Sequence, residues 1–141
     1  MTPVEALQSA LAAEHAAIYV HGVVGARVSA SEQPELWQRI RDAYTVHRGR
    51  RDRLQSLLRA AGATPVPSEV AYELPTPAGT PEELRSAALE IEQRCAAVYA
   101  DTVGSTSRAA RQWALDALED AAVRMLGFGG RPEPFPGVGE L

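Results

Sequence analysis

The chain has 141 residues, a formal net charge of −4, 45% hydrophobic residues and 23% charged residues. That is enough for one domain with a real core, and too acidic for broad contact with nucleic acid or a membrane surface. Cys95 is the only cysteine, which excludes an intrachain disulfide scaffold.

No basic segment followed by an apolar run opens the chain, and the apolar stretch from Ala16 to Ala26 is too short to span a bilayer. A cytoplasmic domain is therefore expected. Alanine occupies 25 positions, a bias toward helix and toward close helix contacts. All 14 basic residues are arginine, the better partner for a buried carboxylate.

Thr2-Pro3-Val4-Glu5 is a helix start, with a capping hydroxyl, a proline for the first turn and a glutamate to complete a capping box. Val4, Leu7, Leu11, Glu14, Ile18, His21, Gly25 and Val28 then recur at spacings of three and four. They predict an amphipathic first helix whose seam is apolar except at Glu14 and His21. His15 falls on the flank of that seam. Gly22 and Gly25 lower helix propensity, which fits a neighbouring helix approaching closely there.

Ser29 to Pro34 reads as a turn, and a second helix is predicted from about Pro34 to Ala61, stopped by Gly62. Its expected seam is Trp37, Ile40, Tyr44, His47, Arg51, Leu54 and Leu58, again with a polar middle. The arginine-rich run Arg48 to Arg53 surrounds that middle; most of its charges are expected on a solvated flank or facing an acidic partner, with Arg51 on the seam. Gly62 to Thr80 follows, rich in proline and not helical. At roughly 3.3 Å per residue it can run the length of a helix of about 40 Å. Val70, Tyr72 and Leu74 are its expected anchors. A linker that crosses the bundle lengthwise makes the third helix parallel to the second.

Thr80-Pro81-Glu82-Glu83 repeats the opening start signal, and a third helix is predicted to about Val103. Its face is Leu84, Ala88, Ile91, Cys95, Val98 and Thr102, with Glu92 and Tyr99 at the edge. After a tight turn, a fourth helix is predicted from Ser107 to Leu126. There Arg108, Arg111, Leu115, Leu118, Ala122 and Met125 share a face, flanked by Glu119. From Gly127 the tail has no regular pattern, and Phe128 with Phe135-Pro136-Gly137 is expected to pin it to the bundle.

Packing these helices brings Glu14, His47 and Glu92 to the bundle midpoint, with Arg51, Arg108 and Glu119 near that level. Buried charges require partners, so an ion-paired layer is expected in which Arg51 and Arg108 neutralise Glu14 and Glu92. Cys95 on the seam reads as a small buried apolar group, Trp37 and Trp113 as packing or interface residues.

Glu14-His15-Ala16-Ala17-Ile18-Tyr19, His47-Arg48-x-Arg50-Arg51-Asp52-x-Leu54, Tyr72-Glu73-Leu74-Pro75 and Phe135-Pro136-Gly137 together resemble the ferritin-like superfamily. Within it they are similar to a bacterial family of uncharacterised ferritin-like domains. The resemblance covers nearly the whole chain. It implies an all-α, ferritin-like four-helix bundle with a long proline-rich crossover between helices 2 and 3. Residues 1–141 would form one such domain, with 127–141 irregular and packed on the bundle.

Di-iron members of that superfamily take one Glu from each of two helices and a Glu-x-x-His pair from each of the others. Here Glu14 and Glu92 match glutamate positions and His47 an imidazole. However, Tyr44 stands three residues before His47, and helix 4 contains no histidine, leaving Glu119 as its best acid.

The expectation is a metal-free structural or binding module, a homodimer, with no nucleic-acid or membrane partner and no cofactor. The dimer is motivated by the Ala-rich faces, the Gly22/Gly25 pair and the tryptophans. The alternative is a degenerate di-metal oxidase or hydroxylase holding iron or manganese on Glu14, His47, Glu92 and Glu119. A third reading is a small-ligand pocket in which Arg51 and Arg108 grip a carboxylate.

Overall fold

A computed structural model describes residues 1–140. Four helices follow in order, α1 (Pro3–Arg27), α2 (Pro34–Ala60), α3 (Pro81–Ser105) and α4 (Arg108–Gly127), with a 3₁₀ turn at Val138–Glu140. There is no strand among the described residues. The molecule is an all-α four-helix bundle. None of its helices is long and apolar enough to cross a membrane.

The helix starts follow from local chemistry. The Thr2 hydroxyl accepts from the Glu5 backbone N–H at 3.2 Å while the Glu5 carboxylate accepts from Thr2 N at 2.7 Å, closing a capping box. Thr80 caps α3 through Glu83 N at 3.2 Å. Proline occupies the first turn of α1, α2 and α3, where its missing N–H costs nothing.

The crossover runs along α1. The Gln8 side chain donates to Thr64 O at 2.7 Å and accepts from Val66 N at 2.8 Å, and His15 Nε2 donates to Val66 O at 3.0 Å. Farther on, Tyr72 packs on Tyr19 with ring centroids 5.6 Å apart, and Arg27 holds Ala78 O at 3.2 Å. The chain thus travels from the start of α1 to its end before α3 begins, so α3 lies parallel to α2 and antiparallel to α1. Leu74 packs against the core and Tyr72 is half-buried, but Val70, an expected anchor, is fully exposed. The hydrogen bonds from Gln8 and His15 hold the crossover earlier, at Thr64 and Val66.

Two apolar clusters form the core. Leu7, Leu11, Leu54 and Leu58 fill one end, while Val20, Val24, Ile40, Leu84, Ile91 and Phe128 belong to the larger cluster toward the other. Burying each large aliphatic side chain contributes roughly 2 kcal/mol. Gly25 lets α1 and α2 meet closely, since a Cβ there would lie 3.2 Å from Ile40 Cγ2.

Two helix faces differ from expectation by about one residue of rotation. α2 buries Leu36 and Ala43 beside the expected Ile40, His47, Leu54 and Leu58, while Tyr44 and Arg51 turn toward the rim. α4 buries Ala114, Ala117, Ala121 and Met125, leaving Arg108, Arg111 and Glu119 exposed and Leu115 at the surface. Small side chains on the buried face allow the helices to approach, which outweighs the pull of larger residues one position away. In the tail, Phe128 is buried but Phe135 is 75% exposed. The tail is held at Gly137, whose φ of +80° and contact with the Ala96 backbone leave no space for a Cβ.

Candidate functional site

Between the two apolar clusters lies a polar layer whose main members have no solvent contact. Glu14, His47, Glu92 and Tyr99 are each 0% exposed, and His21 is 1% exposed. α1 contributes Glu14 and His21, two helical turns apart. α2 contributes His47, and α3 contributes Glu92 and Tyr99, also two turns apart. Because α1 and α3 are antiparallel, Glu14 meets Tyr99 and His21 meets Glu92.

His47 joins the two acids. Its Nδ1 lies 2.5 Å from Glu14 Oε2 and its Nε2 lies 2.8 Å from Glu92 Oε1. Carboxylate oxygens facing both ring nitrogens require an imidazolium donating twice. Burial alone would lower the His47 pKa, but the charges of Glu92 and Glu14 and their hydrogen bonds raise it to about 9. Burial likewise opposes ionisation of Glu92, yet His47 and His21 hold its carboxyl well below the usual range.

His21 donates its Nε2 proton to the same oxygen, Glu92 Oε1, at 3.0 Å. Burial lowers its pKa, so the ring is neutral. It stacks between His47 and Phe128, with ring centroids at 5.3 and 6.0 Å. His21 Nδ1 and Glu92 Oε2 are the two buried side-chain atoms without a partner among the described residues.

On the other side, Tyr99 donates to Glu14 Oε1 at 2.5 Å and receives Arg50 Nη1 at 3.4 Å. Arg50 also lies over the Tyr99 ring, 5.3 Å from its centroid, and bonds Asp120 at 2.6 Å. Trp113 closes this side edge-on to Tyr99 at 5.7 Å. The carboxylates of Glu14 and Glu92 are thus balanced by the His47 imidazolium and the Arg50 guanidinium. Asp120, beyond Arg50, is held in turn by Arg124 at 3.1 Å.

His21, His47 and Glu92 each offer a ligand atom within 4.8 Å of the others, a group that could hold a metal ion. A family model for a domain of unknown function, DUF4439, matches residues 6–140. The chain belongs to the DUF4439 family. A solved structure, described as a conserved hypothetical protein, rv2844, from Mycobacterium tuberculosis, is similar to it: 30% identical, with a TM-score of 0.83 over 90% of this chain and 87% of that one. No curated protein matches.

In this DUF4439 chain, Glu14, His47 and Glu92 come together in the layer. Arg51, Arg108 and Glu119 do not. Arg51 pairs at the surface with Asp52 at 2.9 Å, Arg108 is exposed at the first turn of α4 with φ of +53°, and Glu119 is exposed. The correction has one physical cause, the rotated faces of α2 and α4, which put Arg50 and Ala117 inward.

Two participants are new to the layer, Arg50 and His21 as a bonded member, and Asp120 holds Arg50 from outside it. The signal for Arg50 lay in the spacing Ile40-Ala43-His47-Arg50-Leu54, which is as regular as the one through Tyr44 and Arg51. His15 lies on the crossover side, bonded to Val66, rather than in the layer. Cys95 is fully buried and burial raises its thiol pKa well above the ordinary value, so it behaves as an apolar filler.

Proposed function

We propose that the chain is a ferritin-like bundle in which a self-neutralised hydrogen-bond network occupies the mid-bundle layer, and that it acts as a metal-free binding or structural module. Its single crossover between parallel helices is the connectivity ferritin-like bundles use. The observation that carries the reading is His47, whose two nitrogens both face carboxylates and whose proton stands where a bridging cation would.

The paired-metal ligand set does not fit. Tyr44 replaces the glutamate before His47, and α4 directs Asp120 to Arg50 instead of into the layer. A homodimer is part of this reading, and α4 supports it by presenting Leu115, Val123 and Leu126 to solvent at 36%, 70% and 45% exposure. The Gly22/Gly25 pair belongs elsewhere, since it faces Tyr44 and Ile40 within the same chain.

A second reading is a single iron or manganese ion on His21, His47 and Glu92, favoured by the unpartnered Glu92 Oε2. Such an ion would have to displace the His47 proton. Elemental analysis of protein purified without a polyhistidine tag, together with the melting of Glu14→Gln, separates the two. The network predicts metal far below one equivalent. It also predicts a loss of about 3 kcal/mol in the variant, from weakening a buried ion pair. Stoichiometric iron or manganese overturns it, and so does an unchanged melting temperature.

A further inference from the structure

A groove of about 460 Å³ lies between the second half of α1 and the first half of α2. This is within the size range of small-molecule sites. Its α1 side is bare because two of its positions are Gly22 and Gly25. Its α2 side carries two aromatic rings, each covered by an arginine one turn on. Arg41 stacks over Trp37 at 4.6 Å and Arg48 over Tyr44 at 5.6 Å.

No carboxylate lines the groove, and neither Arg41 nor Arg48 is ion-paired among the described residues. A cationic groove on a chain of net charge −4 is a local departure from the whole. The buried end of the lining is His21, whose side chain is 0% exposed and whose Nδ1 has no partner. With Nε2 bonded to Glu92, Nδ1 is the ring's free nitrogen and can accept from a donor. Leaving such an atom unpaired is costly, and a ligand bringing a donor recovers that cost.

We propose that this groove binds a small planar carboxylate bearing a hydroxyl or N–H donor. The carboxylate meets the guanidinium of Arg41 or Arg48, the ring lies on Tyr44 and Trp37 over Gly22, and the donor reaches His21 Nδ1. Guanidinium forks suit carboxylates, and the two aromatic faces suit a flat ring. The groove deepens the reading of the chain as a binding module, and rests on that reading only in requiring the bond from His21 Nε2 to Glu92 that leaves Nδ1 free.

The test is calorimetric titration of the full chain with 4-hydroxybenzoate, benzoate and 4-hydroxybenzyl alcohol, with the Trp37 indole N–H followed by NMR. Saturable binding of 4-hydroxybenzoate is expected, with at least tenfold weaker binding of each of the other two, which lack the donor or the charge. The double variant Arg41→Met/Arg48→Met, which alters only exposed guanidiniums, is expected to lose at least tenfold in affinity. Gly22→Leu fills the groove and is expected to abolish binding. A Cβ at Gly22 meets Tyr44 Cε2 at an ordinary 3.6 Å, so that variant is expected to keep its fold.

The proposal is overturned by absence of saturable binding, by equal affinity for all three probes, or by arginine variants that bind as well as the parent. Metal content of the same sample is read separately. A null titration on metal-free protein removes the groove and leaves the network, whereas stoichiometric metal removes both, because an ion on His21 and Glu92 replaces the bond between them.

Discussion

Arg50 and Arg51 are neighbours in sequence with opposite surroundings. The Arg50 side chain is 10% exposed and bonds Tyr99 and Asp120, whereas Arg51 is 28% exposed and pairs only with the adjacent Asp52. Removing Arg50 takes the guanidinium off the buried Tyr99 ring and hydroxyl and removes a cation that balances Glu14, while half-exposed Asp120 keeps Arg124. Chemical denaturation should therefore find Arg50→Ala destabilised by about 2 kcal/mol and Arg51→Ala within about 0.5 kcal/mol of the parent. Equal losses would mean that Arg50 does not anchor the layer. The difference could not be read from residue type, because both are arginines in one run; only the helix rotation distinguishes them.

Among the elements, α4 is the one whose rotation matters most for assembly. It buries a row of alanines against its neighbours, so its larger aliphatic residues Leu115, Val123 and Leu126 are left facing solvent. An exposed apolar stripe on a helix calls for a partner, and the proposed homodimer supplies one. Light scattering at micromolar concentration should give twice the 15.1 kDa chain mass, and Val123→Arg should reduce it to one chain mass. A monomeric parent would remove the dimer from the functional reading. α1 is the better-forecast element, since its capping box and its buried Leu7, Leu11, Glu14 and His21 all follow the expected seam.

For the molecule as a whole, the buried layer ties folding to pH. The folded His47 pKa is raised to about 9 from 6.5, so its contribution is complete below about pH 6.5 and is lost as pH rises through 9. His21 has the opposite sign. Its folded pKa is lowered, so below about pH 6.5 protons favour the unfolded chain. The lowered Glu92 pKa adds to the loss at acid pH. Stability should peak near pH 6.5 and fall between 7 and 9 by at most about 1.4 kcal/mol per pH unit. His47→Gln should flatten that alkaline limb, and a parent chain whose stability climbs from pH 7 to 9 would contradict the doubly bonded imidazolium.

The sequence by itself determined the helices, their starts and the crossover, because caps, prolines and apolar periodicity act within a few residues of one another. It also placed Glu14, His47 and Glu92 at one level, since each sits near the middle of its own helix. Which cations balance those acids was decided only by tertiary structure. A seam of spacing three and four admits two rotations one residue apart, and packing chose the one that buries Ala43 and Ala117. That choice turned Arg50 inward and left Arg51, Arg108 and Glu119 at the surface. The antiparallel pairing of α1 with α3 then brought His21 onto Glu92, a contact 71 residues apart in sequence that no local pattern encodes.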